Sequence, residues 1–273
     1  MNLEAAGAYA QRSGLQALLV IRDGAAVFAS YADGFDAETP HLLYSGTKSF
    51  WGPAALAAQD DGLLDLDEPV AATFPAWGEG RRGRVILRQL LSLTAGIGFG
   101  GLGNAVPTYE KVLSVEIKDE PGTRFTYGGI PLQVFGAVLA RKLAVQHMTP
   151  HDYLKKRVLA PAGVNVASWR TLSDGTQPLP TGAAMSAPAW GTYGQYVLGQ
   201  REQLAPCFTP SQANARYGLG WWLSPLPAYP DIAYASGSGG QALYVIPSQR
   251  AVVVKFATRA KSDHAAFLRR LVS

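Results

Sequence analysis

The sequence predicts an α+β fold: an antiparallel sheet flanked by terminal helices, with a mainly helical subdomain inserted between its strands. Strand patterns occur near both ends of the chain, whereas helical patterns dominate the middle. Each group of strands is too small to be stable alone, so we expect both to join one sheet. The predicted organisation is a single domain, 1–273. Within it, residues 1–44 and 215–273 form the sheet subdomain and residues 45–214 form the helical subdomain.

The N-terminal segment combines a short helix with a hairpin. The helix is predicted over Leu3 to Gln11, and the two strands over Leu15 to Ile21 and Ala25 to Tyr31. Asp23-Gly24 lies between the strands, and this dipeptide is typical of tight hairpin turns.

Apolar residues recur with helical spacing through the middle of the chain. The predicted helices are Ser45 to Ala58, Val85 to Leu93, Pro131 to Leu143, Tyr153 to Leu159 and Ser186 to Gln200. From Tyr217 onward the pattern becomes β-rich, divided by proline and glycine. The predicted strands are Gly218 to Leu223, Ile232 to Ala235, Gln241 to Ile246 and Ala251 to Ala257, followed by a helix over Ser262 to Leu271.

Composition narrows the class of protein. The chain has 273 residues and a net charge of +4, with 48% hydrophobic and 16% charged residues, which is typical of a globular protein with a large core. The densest basic stretch is Arg81-Arg82-Gly83-Arg84, a pattern typical of a solvated loop, so we expect no nucleic-acid partner.

The sequence shows no targeting signal. No apolar run approaches the roughly 20 residues of a membrane span. Met1-Asn2-Leu3-Glu4 does not begin a secretory leader, so the expected location is the cytoplasm unless a longer precursor is exported.

The cysteine and histidine residues indicate neither a disulfide nor a metal site. Cys207 is the only cysteine, and its neighbours lack metal-ligand spacing. The four histidines, His41, His147, His151 and His264, form no metal-binding motif. We therefore expect no metal and no other cofactor.

Gly96 to Gly101 matches the glycine pattern of dinucleotide-binding loops. It follows a predicted helix rather than a strand, and no βαβ unit surrounds it. This segment is better interpreted as a glycine loop at the rim of a cleft.

Ser45 and Lys48 form the clearest candidate for chemistry. Residues three apart share one face of a helix, so the serine hydroxyl and the lysine amine can meet. A serine hydroxyl needs an adjacent base to become a nucleophile, and a lysine can serve once burial lowers its pKa. By itself this tetrapeptide is weak evidence, because Ser45 could equally cap an ordinary helix with Lys48 in solvent.

Four further segments accompany the Ser45–Lys48 motif in a fixed order along the chain. The five segments are Ser45 to Phe50, Asp61 to Val70, Leu87 to Gly96, Pro121 to Tyr127 and Ala235 to Pro247. Through them the chain resembles the serine β-lactamase and penicillin-binding-protein-like superfamily, and within it the class C-like serine hydrolases, family VIII carboxylesterases and aminohexanoate-oligomer hydrolases. Five ordered matches are much more specific than one tetrapeptide.

The resemblance implies roles for individual residues. Ser45 is the expected nucleophile, Lys48 its base, and Tyr127 the residue that protonates the leaving group. The backbone amides of Ser45 and Ser238 are the expected oxyanion donors.

Four further residues are expected to contact substrate. These are Gly129, Trp222, Ser236 and Gly237. Trp221 and Trp222 alternate across a predicted strand, so one should face the core and the other the cleft, and the sequence leaves open which.

Two departures from the family pattern bear on the substrate. The second motif reads Tyr127-Gly128-Gly129, without the usual asparagine, and the third reads Ala235-Ser236-Gly237, without the usual lysine or histidine. A cation at the third motif would recognise the carboxylate of a penicillin or a peptide. Its absence favours a small-molecule ester, with amides left open, over a β-lactam.

Two alternatives remain open at this point. A penicillin-recognising enzyme would need a cation elsewhere in the cleft, for which loop arginines such as Arg82 are candidates. A non-catalytic binding module on the same fold is the other alternative. A Ser-His-Asp hydrolase is disfavoured because the chain has no G-x-S-x-G elbow. The sequence leaves the oligomeric state open. The chain is short for this family, which predicts an open cleft.

Overall fold

The computed structural model describes residues 1–258 and 263–273. Its strands are β1 (Leu15–Arg22), β2 (Ala25–Tyr31), β3 (His41–Leu42), β4 (Ser168–Trp169), β5 (Ala183–Met185), β6 (Trp222–Leu223), β7 (Ala233–Gly237), β8 (Gln241–Ile246) and β9 (Ala251–Ala257). Six of them form an antiparallel sheet in the order β2-β1-β9-β8-β7-β6. The N-terminal hairpin therefore pairs with the C-terminal strands, which confirms the predicted α+β fold.

The register of the sheet places both ends of the chain side by side. Leu19 of β1 lies opposite Ala29 of β2 on one side and Val254 of β9 on the other. This pairing joins strands more than 200 residues apart in sequence, and the intervening segment is therefore an insertion between neighbouring strands of the sheet.

A second, small sheet was not predicted. Its strands β3, β5 and β4 have two or three residues each and pair antiparallel. β4 and β5 lie in the region predicted to be mainly helical, and β3 lies just before it. Strands this short carry no alternating pattern that sequence analysis could detect.

The described helices largely follow the predicted order. They are α1 (Leu3–Arg12), α2 (Trp51–Asp60), α3 (Leu87–Leu91), α4 (Tyr109–Val112), α5 (Ile130–Leu143), α6 (Pro150–Leu154), α7 (Ala187–Gly199) and α8 (His264–Val272). A 3₁₀ helix, Tyr44–Phe50, leads directly into α2. A π-helical turn, Lys155–Leu159, extends α6.

Several predicted elements differ at their boundaries, and the ends of two of them have a local explanation. The strand predicted from Gly218 is reduced to Trp222–Leu223, because Gly220 adopts a φ of +81° that ends the extended conformation. The C-terminal helix begins at His264 with Asp263 as its N-cap, and the predicted start at Ser262 lies outside the described residues.

Helices cover both faces of the sheet. Ala17, Leu19 and Ile21 belong to the core shared with the helical region, whereas Leu18 and Val20 pack in the cluster with α1 and α8. Because successive side chains of a strand point to opposite faces, β1 is buried on both faces. The α7 helix lies on the first face, and terminal helices α1 and α8 lie on the second.

The α7 helix approaches the sheet closely through two glycines. A Cβ atom on Gly191 would stand 2.7 Å from Ile21 Cδ1, and one on Gly194 would stand 2.5 Å from Val252 Cγ1. Larger residues there would push the helix off the sheet. Within the described residues, no helix is both long enough and apolar enough to cross a membrane.

Candidate active site

Ser45 lies at the start of the 3₁₀ helix that precedes α2. Its amide is among the first of a helix, and such amides have no partner within the helix. The preceding residue, Tyr44, has a φ of 47°, a conformation that non-glycine residues rarely adopt. Such local strain is concentrated at functional sites. Here it turns the chain sharply just before Ser45, whose side chain remains partly exposed.

Lys48 is buried directly behind Ser45. Its side chain is 1% exposed, and Nζ lies 3.0 Å from Ser45 Oγ and donates to the carbonyl oxygen of Pro180 at 3.2 Å. Burial lowers the pKa of Lys48 to about 7. Among the described residues, Lys48 forms no ion pair with a carboxylate that would restore its positive charge. A neutral amine is therefore available near neutral pH.

Tyr127 completes the group expected from the sequence. The Lys48 Nζ atom lies 4.9 Å from the centre of the Tyr127 ring. Burial raises the pKa of Tyr127, and a hydrogen bond with Ser45 partly opposes that increase. The structure thus brings Ser45, Lys48 and Tyr127 together, although Tyr127 lies 82 residues after Ser45 in the sequence.

The end of β7 lies beside Ser45. Ser238 follows β7 and lines the same cavity as Ser45. Gln241 holds the turn at this point, because its Nε2 donates to the carbonyl oxygens of Ser238 at 3.2 Å and Ala257 at 2.7 Å. Gln241 therefore links the backbone of Ser238 to the end of β9.

Ser45 opens into a cavity of about 660 Å³. Its lining residues are Tyr44, Ser45, Leu102, Gly103, Tyr127, Thr181, Trp222, Tyr234, Ser236, Gly237, Ser238 and His264. Aromatic side chains form much of this surface. Ser45 is partly exposed where it meets this cavity.

The two adjacent tryptophans have different environments. Trp221 is fully buried, and its Nε1 donates to the carbonyl oxygen of Ser49 at 3.0 Å. Trp222 lines the cavity and stacks on Tyr127, with ring centroids 5.7 Å apart. Trp222 is therefore the tryptophan that faces the cleft.

Gly129, which was expected to contact substrate, is placed elsewhere. A Cβ atom on Gly129 would stand 2.0 Å from the carbonyl oxygen of Gly101, and the Gly129 amide donates to the carbonyl oxygen of Gly100 at 2.9 Å. Among the described residues, Gly129 is not part of the cavity lining. The backbone of the glycine loop occupies the space beside Gly129, so no asparagine side chain could be accommodated there without displacing the loop.

The glycine loop therefore has a packing role in this fold. Gly101 lies against Ile130 at the start of α5, where a Cβ atom would stand 2.9 Å from the Ile130 amide nitrogen. The residues that follow the loop, Leu102 and Gly103, reach the cavity, in agreement with the expected position at a cleft rim.

His264 and Tyr234 are cavity residues that sequence analysis did not identify. His264 Nε2 lies 2.9 Å from Ser236 Oγ, and its Nδ1 lies 2.7 Å from the Tyr244 hydroxyl. Burial, assisted by the charge of Lys255, lowers the pKa of His264 to about 4. No local motif surrounds this histidine, and only the return of the C-terminal helix to the sheet places it there.

Arg82, the candidate cation of the sequence analysis, lies away from the cavity. Its guanidinium group donates to the carbonyl oxygens of Ser114 at 2.8 Å and Val115 at 2.7 Å, and it covers the Trp77 ring. The described part of the cavity lining contains no lysine or arginine.

Cys207 and the acidic residues offer no competing centre in the described part of the chain. Cys207 is fully buried, and burial raises the pKa of its thiol. Across residues 1–258 and 263–273, no three histidine, cysteine or acidic side chains are arranged to hold a metal ion.

Comparisons with known proteins agree with this arrangement. The Beta-lactamase family model matches residues 2–272. No curated protein sequence matches the chain significantly.

Several solved structures share the fold at low sequence identity. A candidate 6-aminohexanoate-dimer hydrolase from Bacillus anthracis is 16% identical, with a TM-score of 0.82 over 97% of this chain and 80% of that chain. EstCE1, a hydrolase with promiscuous acyltransferase activity, is 17% identical, with a TM-score of 0.76 over 98% and 96% of the two chains. A penicillin-binding protein from Bacillus halodurans is 18% identical, with a TM-score of 0.73 over 98% of both chains.

These structural similarities concern the fold alone, because all three identities are low. The family model, in contrast, extends over nearly the whole chain and includes the Ser45–Lys48 motif and the strands that flank it. On this basis the chain belongs to the Beta-lactamase family.

Proposed function

We propose that this chain is a carboxylesterase-like serine hydrolase that acts through an acyl-enzyme on small to medium esters. The observation that carries this proposal is the 3.0 Å distance between Lys48 Nζ and Ser45 Oγ, with the lysine buried and its pKa lowered to about 7. A neutral amine at hydrogen-bond distance is what a serine nucleophile needs as its base.

In the acylation step, Ser45 Oγ attacks the ester carbonyl carbon while Lys48 Nζ accepts the hydroxyl proton. The carbonyl oxygen becomes negatively charged and receives hydrogen bonds from the amides of Ser45 and Ser238. The tetrahedral intermediate then collapses, and the alcohol leaves with a proton that Tyr127 delivers from the network it shares with Ser45 and Lys48.

In the deacylation step, a water molecule attacks the acyl carbon of the Ser45 ester. Lys48 Nζ accepts a proton from this water. The same proton returns to Ser45 Oγ when the carboxylic acid is released. The partial exposure of Ser45 to the cavity allows water to reach the acyl group.

The cavity favours uncharged substrates. Trp222, Tyr127 and Tyr234 provide apolar surface, and the described lining offers no lysine or arginine to bind a carboxylate. A penicillin carries such a carboxylate, and burying it against this lining would be unfavourable because the described lining residues include no cationic partner. An ester also needs less protonation of its leaving group than an amide does, which supports an esterase.

The test is hydrolysis of p-nitrophenyl butyrate by the wild-type protein and by Ser45→Ala, combined with intact-mass detection of a fluorophosphonate adduct. We expect turnover and a single adduct on Ser45 in the wild type, and a loss of about 1,000-fold or more in turnover in Ser45→Ala. Ser211→Ala is a matched control on a loop outside the cavity. A folded wild type with neither turnover nor adduct would refute the proposal and favour a binding module.

A further inference from the structure

Three polar side chains form a chain of hydrogen bonds in one wall of the cavity. Ser236 Oγ lies 2.9 Å from His264 Nε2, and His264 Nδ1 lies 2.7 Å from the Tyr244 hydroxyl. The three residues come from β7, β8 and the first turn of α8. Ser236 and His264 line the cavity that contains Ser45, whereas Tyr244 is fully buried behind them.

The burial of Tyr244 determines the direction of the first hydrogen bond. Among the described residues, the Tyr244 hydroxyl has one hydrogen-bond partner, the Nδ1 atom of His264. A buried hydroxyl that does not donate gives up a hydrogen bond that it would make to water, which is unfavourable. Burial also raises the pKa of Tyr244, so the hydroxyl keeps its proton. The Tyr244 hydroxyl therefore donates, and His264 Nδ1 accepts.

The first bond fixes the tautomer of His264. A neutral imidazole carries one proton, and with Nδ1 as acceptor that proton lies on Nε2. The pKa of His264 is lowered to about 4 by burial and by the nearby positive charge of Lys255, and Asp263 opposes this only in part, so the neutral form dominates at pH 7. His264 Nε2 therefore donates to Ser236 Oγ.

The second bond fixes the role of Ser236. Its Oγ atom accepts a hydrogen bond from His264 Nε2–H, so its own hydroxyl hydrogen is free to point into the cavity, which Ser236 lines. For the same reason His264 cannot act as a base toward Ser236, and Ser236 is not a second nucleophile.

The position of these residues indicates which part of a substrate they meet. The His264 ring lies 4.8 Å from Tyr234, Tyr234 stacks on Trp222 at 6.4 Å, and Trp222 stacks on Tyr127 at 5.7 Å. Tyr127 is the residue that protonates the leaving alcohol in the proposed reaction. This row of rings connects the wall that holds Ser236 to Tyr127 within one cavity, and on this basis we assign that wall to the alcohol part of the substrate.

We propose that Tyr244 and His264 are positioning residues that hold Ser236 as a neutral hydrogen-bond donor for an uncharged oxygen acceptor in the alcohol part of the substrate. The preferred substrates are then esters whose alcohol carries an ether, hydroxyl or carbonyl oxygen a few bonds from the ester. This inference rests on the proposed esterase function. The proposal assigns a substrate class to the third motif, Ala235-Ser236-Gly237, where the family's usual lysine or histidine would select carboxylates.

The test uses two esters that form the same acetyl-enzyme. 2-Methoxyethyl acetate and butyl acetate have alcohols of similar size, and only the first carries an acceptor oxygen. We expect the ratio of their kcat/KM values to fall about fivefold in Ser236→Ala, as the loss of one neutral hydrogen bond predicts. Tyr244→Phe should lower the same ratio, because Nδ1 can then carry the proton and Nε2 can accept from Ser236.

Tyr229→Phe is the matched control, since its hydroxyl donates to the Val272 carbonyl oxygen at 3.1 Å outside the cavity. We expect it to leave the ratio unchanged. A merely structural role of Ser236 would lower both kcat/KM values equally and leave the ratio constant, which would overturn the proposal.

A second measurement needs no substrate. Nitrogen-15 NMR of the wild-type protein should find the His264 proton on Nε2, and a proton on Nδ1 would overturn the proposal even if every variant unfolded. The p-nitrophenyl butyrate assay and the Ser45 adduct report separately on the proposed function. If the assay shows turnover and the adduct forms, but the ester ratio is unchanged in Ser236→Ala, only the proposed role of Ser236, His264 and Tyr244 is refuted.

Discussion

Gly237 lies so close to Leu43 that a Cβ atom built on it would stand 2.1 Å from the Leu43 carbonyl oxygen. Gly237 has φ −122° and ψ 159°, an extended conformation that any residue can adopt. Glycine is therefore needed at position 237 because a side chain would collide with the Leu43 carbonyl oxygen, and not because of the backbone conformation. This contact joins the end of β7 to the residues just before Ser45, and so sets the distance between the two proposed oxyanion amides.

Gly237→Ala should separate these two segments. Because the obstructing atom belongs to the backbone, we expect β7 to shift and ester hydrolysis to fall by about 10-fold or more, with a loss of about 1–3 kcal/mol in the free energy of unfolding. Gly199→Ala is the matched control, since nothing lies within 4 Å of its Cβ position. Ester turnover and denaturant unfolding measure the two effects. Activity of Gly237→Ala within twofold of the wild type would show that this contact does not set the site geometry.

The activity should increase with pH through a midpoint near 7. The neutral form of Lys48 is the proposed base, and burial lowers its pKa to about 7, so protonation below that pH removes the base. The measurement is kcat/KM for p-nitrophenyl butyrate between pH 5 and pH 9. The same increase of kcat/KM with pH should be seen in His264→Gln, because the pKa of His264 is about 4 and its titration lies outside this range. A flat profile from pH 5 to pH 9 would exclude Lys48 as the base.

Lys48→Met should inactivate the protein and yet stabilise it. The pKa of Lys48 is about 7 in the folded state and 10.5 in the reference state, so the unfolded chain binds the proton more readily between these values. The wild type is therefore destabilised by this group most strongly below pH 7, and the penalty disappears as pH rises toward 10.5. We expect a Tm at pH 6 that is about 2 °C or more above the wild type.

The sign of the pH dependence distinguishes this explanation from improved packing. The difference in Tm between Lys48→Met and the wild type should shrink steadily from pH 7 to pH 10. Differential scanning calorimetry at four pH values is sufficient. A difference that stays constant with pH would mean that desolvation of the ammonium group is not its cause.

Tyr127→Phe should affect poor leaving groups most. Alkyl alcohols need a proton to leave, whereas p-nitrophenolate leaves without one, so the variant should lose about 10-fold more activity toward butyl acetate than toward p-nitrophenyl acetate. The Phe ring keeps the contact with Lys48 and the stacking on Trp222. Equal losses on both esters would argue that Tyr127 only supports the cavity wall.

Sequence patterns predicted most of the helices and strands in order, and the ordered family motifs together indicated the proposed nucleophile and base. The near-continuous apolar runs of β1 and β9 predict strands, and the spacing of Ser45 and Lys48 places both on one side of a helical turn. These signals are local, because each depends on side chains a few residues apart. They could therefore be read without knowledge of the fold.

Tertiary structure decided the properties that depend on distant segments. The pKa of Lys48 follows from burial beneath Pro180, 132 residues away, and the free space at Gly129 is removed by the backbone of Gly101. The pairing of Ser236 with His264 depends on the return of α8 to the sheet. Desolvation and close approach are consequences of packing between segments, and no local pattern in the sequence encodes which surfaces will meet.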